Sequence, residues 1–104
     1  MGSSQSHTTI VNKCREFIKI VLVEEGDRFT TQIIEPDKTK VIPTSSHNVT
    51  LHVYRKYGEK WSDRMEASYT AIRGTNFIVD YAPDGSLQIW RSVPGNINEK
   101  NEGL

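Results

Sequence analysis

FIVDYAPDGSLQIWR, residues 77–91, is the stretch of sequence that decides the fold. Two runs of alternating apolar residues, Phe77 to Tyr81 and Leu87 to Arg91, flank the dipeptide Asp84-Gly85. Asp-Gly between such runs is the strongest short-range hairpin signal, because glycine accepts the positive φ that a tight turn demands. We therefore predict an antiparallel hairpin with Asp84 and Gly85 at its tip.

A further strand, which includes Val49 to Tyr54, is predicted near the middle of the chain. Val49, Leu51 and Val53 alternate with polar or amphipathic residues, among them Tyr54. This period of two is typical of a half-buried strand, so we expect the valines and the leucine to face the core.

The first third of the chain is ambiguous, because its apolar residues recur at helical spacing but are mostly β-branched. We predict a short helix over 9–15 that leads into a strand over 16–24. A turn at 25–27 then leads into a strand over 28–35. In the strand over 28–35, Phe29, Thr31 and Ile33 share one face.

Two further segments complete the prediction. Residues 36–47 contain two prolines and a Thr-Ser-Ser run, which favour a loop. Residues 59–73 fit a helix through Trp61, Met65, Tyr69 and Ile72, or a strand that places Met65, Ala67, Tyr69 and Ala71 on one face. The Tyr-Thr-Ala-Ile run and the short turn after it favour the strand.

The sum of these elements predicts a mainly β fold. We expect a small antiparallel barrel or sandwich of five to six strands, with one short N-terminal helix allowed, and an α+β sheet as the alternative. We expect residues 10–95 to form a single globular domain, and 1–9 and 96–104 to be disordered tails. The 104 residues suffice for one domain.

Charge and cysteine content narrow the functional classes. Thirteen basic residues balance thirteen acidic ones, which argues against a dedicated duplex-DNA binder and allows self-association. One cysteine and the absence of an apolar signal sequence favour an intracellular, cytoplasmic site.

No residue pattern predicts catalysis, a metal or a cofactor. Apolar neighbours are expected to bury Cys14 as an inert thiol. His47 and His52 are spaced to face opposite sides of a strand, and the residues around Asp80 and Asp84 lack the ligand positions of a calcium loop. We therefore expect a protein that is not an enzyme.

Residues 54–64 are the candidate binding segment, because aromatic rings alternate there with cations. Aromatic and arginine side chains anchor protein interfaces, and rings with cations also bind single-stranded nucleic acid. Glu59 and Asp63 interrupt the positive charge and favour a protein partner. Trp90 and Arg91 would extend this surface if they lie nearby. The candidate partner-binding residues are Tyr54, Arg55, Lys56, Tyr57, Lys60, Trp61 and Arg64.

The N-terminus matches a lipidation pattern. Met1-Gly2-Ser3-Ser4-Gln5-Ser6 fits N-myristoylation of Gly2, although the same start is common in expression vectors. A peripheral membrane protein is therefore an alternative, provided that Gly2 is acylated. The expected function is a non-enzymatic interaction module of accessory, adaptor or inhibitor type that docks on a protein. The first alternative is a β domain that binds single-stranded nucleic acid.

Overall fold

A computed structural model describes residues 6–92, which form nine β-strands. Within this range there is no helix, so the mainly β prediction is confirmed and the α+β alternative is not. No described helix is long and apolar enough to cross a membrane. The strands are β1 (Ser6–Asn12), β2 (Ile18–Glu24), β3 (Arg28–Ile34), β4 (Thr39–Thr44), β5 (Asn48–Tyr57), β6 (Lys60–Trp61), β7 (Ala67–Ile72), β8 (Asn76–Tyr81) and β9 (Leu87–Ser92).

The strands form two sheets that pack on a common core. The four-stranded sheet has the order β4-β1-β8-β9. The five-stranded sheet has the order β3-β2-β5, and β6 and β7 pair with successive parts of β5. Alternate residues of both sheets enter the core, among them Ile10 and Phe77 from one sheet and Ile20 and Leu51 from the other, all fully buried. This is the arrangement of a β-sandwich.

The predicted hairpin at residues 77–91 is confirmed. Strands β8 and β9 pair antiparallel in a register that joins Phe77 to Arg91 and Tyr81 to Leu87. Gly85 adopts a φ of 89° at the tip. The side chain of Asp84 accepts hydrogen bonds from the backbone N–H and the hydroxyl of Ser86, at 3.0 and 2.6 Å.

Strand β5 also follows its sequence pattern, with Val49, Leu51 and Val53 buried in the core. Residues 59–73 contain strands β6 and β7, so the strand interpretation of this segment is confirmed. Ala67, Tyr69 and Ala71 share the core-facing side of β7, whereas Met65 precedes the strand and is exposed.

The helix predicted over residues 9–15 is wrong. Ser6–Asn12 is a strand that pairs antiparallel with β4 and parallel with β8, and its first residues lie in the stretch predicted as a tail. Thr8, Ile10 and Asn12 are fully buried and alternate with half-buried residues. The β-branched run from Thr8 to Val11 favours this extended conformation, and two neighbouring strands complete its hydrogen bonds.

Two other expectations require correction. The predicted loop at 36–47 contains β4, which β1 pairs along its whole length from Thr39 to Thr44. The nine strands exceed the predicted five to six, and the β1–β8 pair is parallel rather than part of an antiparallel hairpin order. Pro43 did not exclude a strand here because β4 lies at a sheet edge, where the N–H that proline lacks need not cost a hydrogen bond of the ladder.

Candidate binding surface

The outer face of the five-stranded sheet carries part of the predicted binding segment. Because Leu51 and Val53 point into the core, alternation along β5 places His52, Tyr54 and Lys56 on the side away from it. In the register of the sheet, Lys19 of β2 lies opposite Tyr54, and Trp61 of β6 lies opposite Lys56. We call Lys19, Tyr54, Lys56 and Trp61 the aromatic–lysine cluster.

Lysine ammonium groups lie over the aromatic rings of this cluster. Lys19 Nζ is 5.1 Å from the centroid of the Tyr54 ring and 5.8 Å from that of Trp61. Lys56 Nζ is 5.7 Å from the Trp61 centroid. Each contact contributes roughly 0.5–1 kcal/mol at an exposed site. Lys19 Nζ thus lies near both rings, and the side chains of Tyr54 and Trp61 remain partly exposed.

Arg55 lies on the other side of β5 and joins the two sheets. Its guanidinium donates to both carboxylate oxygens of Glu16, at 3.1 and 3.0 Å, and to the carbonyl of Gly85 at 3.0 Å. Tyr81 donates its hydroxyl proton to the same carboxylate at 2.7 Å. These bonds close one end of the sandwich, so Arg55 has a structural role apart from the cluster.

The carboxylate of Glu16 is held ionised by these donors. Partial burial alone would raise its pKa, but the hydrogen bonds from Arg55 and Tyr81 outweigh that effect and hold the pKa below its ordinary value. Burial and the bond to Glu16 raise the pKa of Tyr81 in turn. The charged form of this network is therefore the stable one at neutral pH.

The remaining predicted site residues lie around the β5–β6 hairpin. Tyr57 shares the side of Arg55 by alternation, is 57% exposed, and donates a 2.6 Å hydrogen bond to Glu66. That bond raises the pKa of Tyr57. Lys60 is exposed opposite Tyr57, and Arg64 is exposed in the segment after β6. Of the seven predicted residues, the structure brings Tyr54, Lys56 and Trp61 together on the outer face.

The outer face extends over strands that the sequence did not connect with this segment. Val21 and Val23 of β2 lie there half-buried, beside Phe29 and Ile33 of β3. Phe29 is 67% exposed and Ile33 48% exposed. Alternation did place Phe29, Thr31 and Ile33 on one face, but it does not tell which face is covered. Strand β2 is mostly apolar on both sides, with Lys19 as the one charged residue on its outer side, so its sequence gives little contrast between the two faces.

Trp90 does not extend this surface. Val79 and Ile89 face the core, so alternation places Trp90, opposite Ile78, on the outer face of the four-stranded sheet. Arg91 donates a 2.6 Å hydrogen bond to the Tyr69 hydroxyl, between the edges of the two sheets. The two tryptophans of the chain therefore lie on opposite outer faces of the sandwich.

The side chains considered as a nucleophile or as metal ligands include Cys14 and His52, which are explained by burial and by hydrogen bonding. Cys14 is 1% exposed, and burial, followed by the charges of Asp80 and Glu16, raises its pKa to about 12. The thiol is thus protonated at neutral pH. His52 Nδ1 lies 3.0 Å from the hydroxyl of Ser68. Among residues 6–92, no three His, Cys, Asp or Glu side chains are grouped to hold a metal.

A groove of about 390 Å³ lies between β7 and β9. Its ionisable side chains are Glu66 and Tyr69. The residues that line the groove include no second carboxylate and no histidine that could act with them as an acid–base pair. The residues that line it are Glu66, Ala67, Ser68, Tyr69, Leu87, Gln88 and Ile89.

Comparisons with protein-family models, with curated proteins and with solved structures found no match. Residues 1–5 and 93–104 lie outside the described residues. They include the candidate lipid-attachment residue Gly2 and the predicted C-terminal tail.

Proposed function

We propose that this chain is a non-enzymatic interaction module that docks on a protein through the outer face of its five-stranded sheet. One observation carries the proposal: large apolar and aromatic side chains lie in adjacent rows on that face. In one row Ile33, Lys19 and Tyr54 are neighbours across three strands, and Lys56 and Trp61 lie in the next. Exposed apolar and aromatic side chains grouped on one face are typical of interaction sites.

The composition of the face favours a protein over single-stranded nucleic acid. A base stacks on an open ring, whereas lysine ammonium groups already lie over Tyr54 and Trp61. The rows toward β3 hold Val21, Phe29 and Ile33 rather than further cations. A protein partner would use these residues as apolar contacts around aromatic anchors.

The lysines of the cluster define the chemistry of the partner. Lys19 and Lys56 lie beside the rings, so a partner that offers apolar side chains flanked by carboxylates would match the face in shape and charge. We expect salt to change the association rate more than the affinity, because exposed cations mainly steer the encounter.

The described ionisable groups with shifted pKa values support a non-enzymatic role. Glu16 and Arg55 connect the sheets, and Glu24 accepts backbone hydrogen bonds from Ser45 and Ser46 at 3.1 and 3.2 Å. Asp84 stabilises the hairpin turn, and Cys14 is a buried thiol. Tyr57 and Tyr81 donate hydrogen bonds to Glu66 and Glu16, so each of these groups has a structural explanation.

Site-specific photo-crosslinking in the native cells would test this function. A photoreactive phenylalanine analogue at Tyr54 should crosslink one protein, whereas the same analogue at Trp90, on the opposite outer face, should not. Crosslinking of nucleic acid at Tyr54 would replace the proposal with the nucleic-acid alternative. Equal crosslinking of the same partner at both positions would contradict it.

A further inference from the structure

Strand β3 is an edge strand with few of the features that protect such edges. Its seven residues, Arg28–Ile34, pair with β2 on one side, and no described strand pairs with the other. From Phe29 to Ile34 it contains no charge, no proline and no glycine. Natural proteins usually protect edges with lysine, proline, bulges or a covering element, because free backbone N–H and C=O groups recruit another strand.

The other edges are better protected. Strand β4 carries Lys40 and Pro43. Strand β7 lies beside β9, where Arg91 donates its hydrogen bond to Tyr69. Strand β9 itself carries Arg91. Strand β3 is therefore the described edge best suited to accept a further strand.

The side chains of β3 are complementary to a second copy of themselves. In an antiparallel pair of two β3 strands centred on Thr31, Thr31 meets Thr31 and Phe29 meets Ile33 of the other copy. Phe29 and Ile33 lie on the outer face and are 67% and 48% exposed, so the pairing would bring their apolar surfaces together. Such aromatic–β-branched pairs are among the favourable cross-strand contacts.

Charge does not oppose this pairing. The formal net charge of the chain is zero, so two copies repel each other weakly. The segment from Phe29 to Ile34 carries no charge, and the like charges of Asp27 and Glu35 face each other only beyond the ends of the paired strands, at exposed positions where solvent screens them. Seven paired residues would form roughly six to eight inter-strand hydrogen bonds.

We propose that two copies of this chain associate through β3, antiparallel and centred on Thr31, so that their five-stranded sheets form one continuous sheet. This is a symmetric dimer in which both copies use the same surface. The inference does not rest on the proposed function, because the pairing depends on the backbone edge of β3 and not on the aromatic–lysine cluster, although Phe29 and Ile33 belong to both surfaces.

Analytical ultracentrifugation of the full chain over a range of concentrations tests the dimer, and substitutions at Thr31 test the register. Thr31 is exposed on the outer face, so Thr31→Lys and Thr31→Glu leave the core intact. Each variant alone places like charges opposite each other, and we expect its dimer dissociation constant to rise about fivefold or more. An equal mixture of the two places Lys opposite Glu and should restore dimerisation. Asn76→Lys and Asn76→Glu, at an exposed position on the internal strand β8, are the matched controls and should change nothing.

Hydrogen exchange gives a second measurement that needs no variant. Backbone amides of β3 should become more protected as the wild-type concentration rises, whereas amides of β9 should not. A wild-type chain that stays monomeric at millimolar concentration would overturn the proposal. A dimer that Thr31→Lys and Thr31→Glu leave unchanged, or that their mixture fails to restore, would overturn it equally.

Discussion

At the residue scale, Asn12 has the most consequential polar side chain in the core. It is fully buried, and its amide nitrogen lies within hydrogen-bonding distance of three carbonyl oxygens, those of Glu16, Ile34 and Glu35, at 2.9, 3.0 and 3.1 Å. Its side-chain oxygen accepts the backbone N–H of Cys14 at 2.8 Å. Asn12 thereby ties the end of β1 to the end of β3, across the two sheets. No sequence pattern indicates this role, because the partners of Asn12 follow from the tertiary fold.

Substitution of Asn12 tests this role. Asn12→Ala should lower the free energy of unfolding by about 3 kcal/mol, because it leaves buried carbonyl and amide groups without partners. Asn12→Asp should cost more, since a carboxylate replaces the donor that faces three carbonyl oxygens. Urea denaturation followed by circular dichroism measures both. Equal stability of wild type and Asn12→Asp would contradict the hydrogen-bond assignment.

Gly85 offers a test of backbone conformation alone. Its φ is 89°, and a Cβ added there would meet no atom within 4 Å. Gly85→Val should therefore destabilise the fold by roughly 1 kcal/mol or more through the backbone, not through a clash. Gly85→Asn is the control and should cost less, because asparagine tolerates positive φ. A melting temperature that Gly85→Val leaves unchanged would show that the turn is assigned wrongly.

At the scale of elements, the sequence predicts the strands whose pairing partners are close in the chain. The hairpins β2–β3 and β8–β9 have short turns with glycine at positive φ, at Gly26 and Gly85, and both were predicted. Strands β1 and β4 were not predicted, because they pair with each other from distant positions in the chain. The helical spacing of apolar residues near β1 favoured a helix, and the prolines near β4 favoured a loop. Both segments are strands because tertiary partners stabilise them.

The Glu16–Arg55–Tyr81 network connects elements and predicts a pH dependence. The folded-state pKa of Glu16 lies below its ordinary value, so its stabilisation is complete above that ordinary value and is lost as the pH falls through the folded pKa. Glu16→Gln should lower the free energy of unfolding by about 1 kcal/mol at pH 6. This difference from wild type should shrink as the pH falls below about 4.

Thermal unfolding of wild type and Glu16→Gln between pH 6 and pH 3 measures that difference. Glu59→Gln, at an exposed position in the β5–β6 turn, is the control and should match wild type throughout. A stability difference for Glu16→Gln that persists unchanged at pH 3 would contradict the assignment of an ionised Glu16 in this network.

At the scale of the whole molecule, the sequence predicted a mainly β domain but only part of its candidate surface. Tyr54, Lys56 and Trp61 are close in sequence and were predicted together. Lys19 and Ile33 join them through the pairing of β2 with β5 and β3, which no local pattern reveals. Arg55 was grouped with its sequence neighbours, although alternation along β5 directs it to the opposite side.

The most direct test of the proposed docking face compares the two tryptophans of the chain. With the protein partner identified by crosslinking, the dissociation constants of wild type, Trp61→Ala and Trp90→Ala should be measured by titration calorimetry at physiological salt. We predict that Trp61→Ala weakens binding about 30-fold, equivalent to about 2 kcal/mol, and that Trp90→Ala changes it less than twofold. Unchanged binding by Trp61→Ala, or an equal loss in Trp90→Ala, would contradict docking through the outer face of the five-stranded sheet.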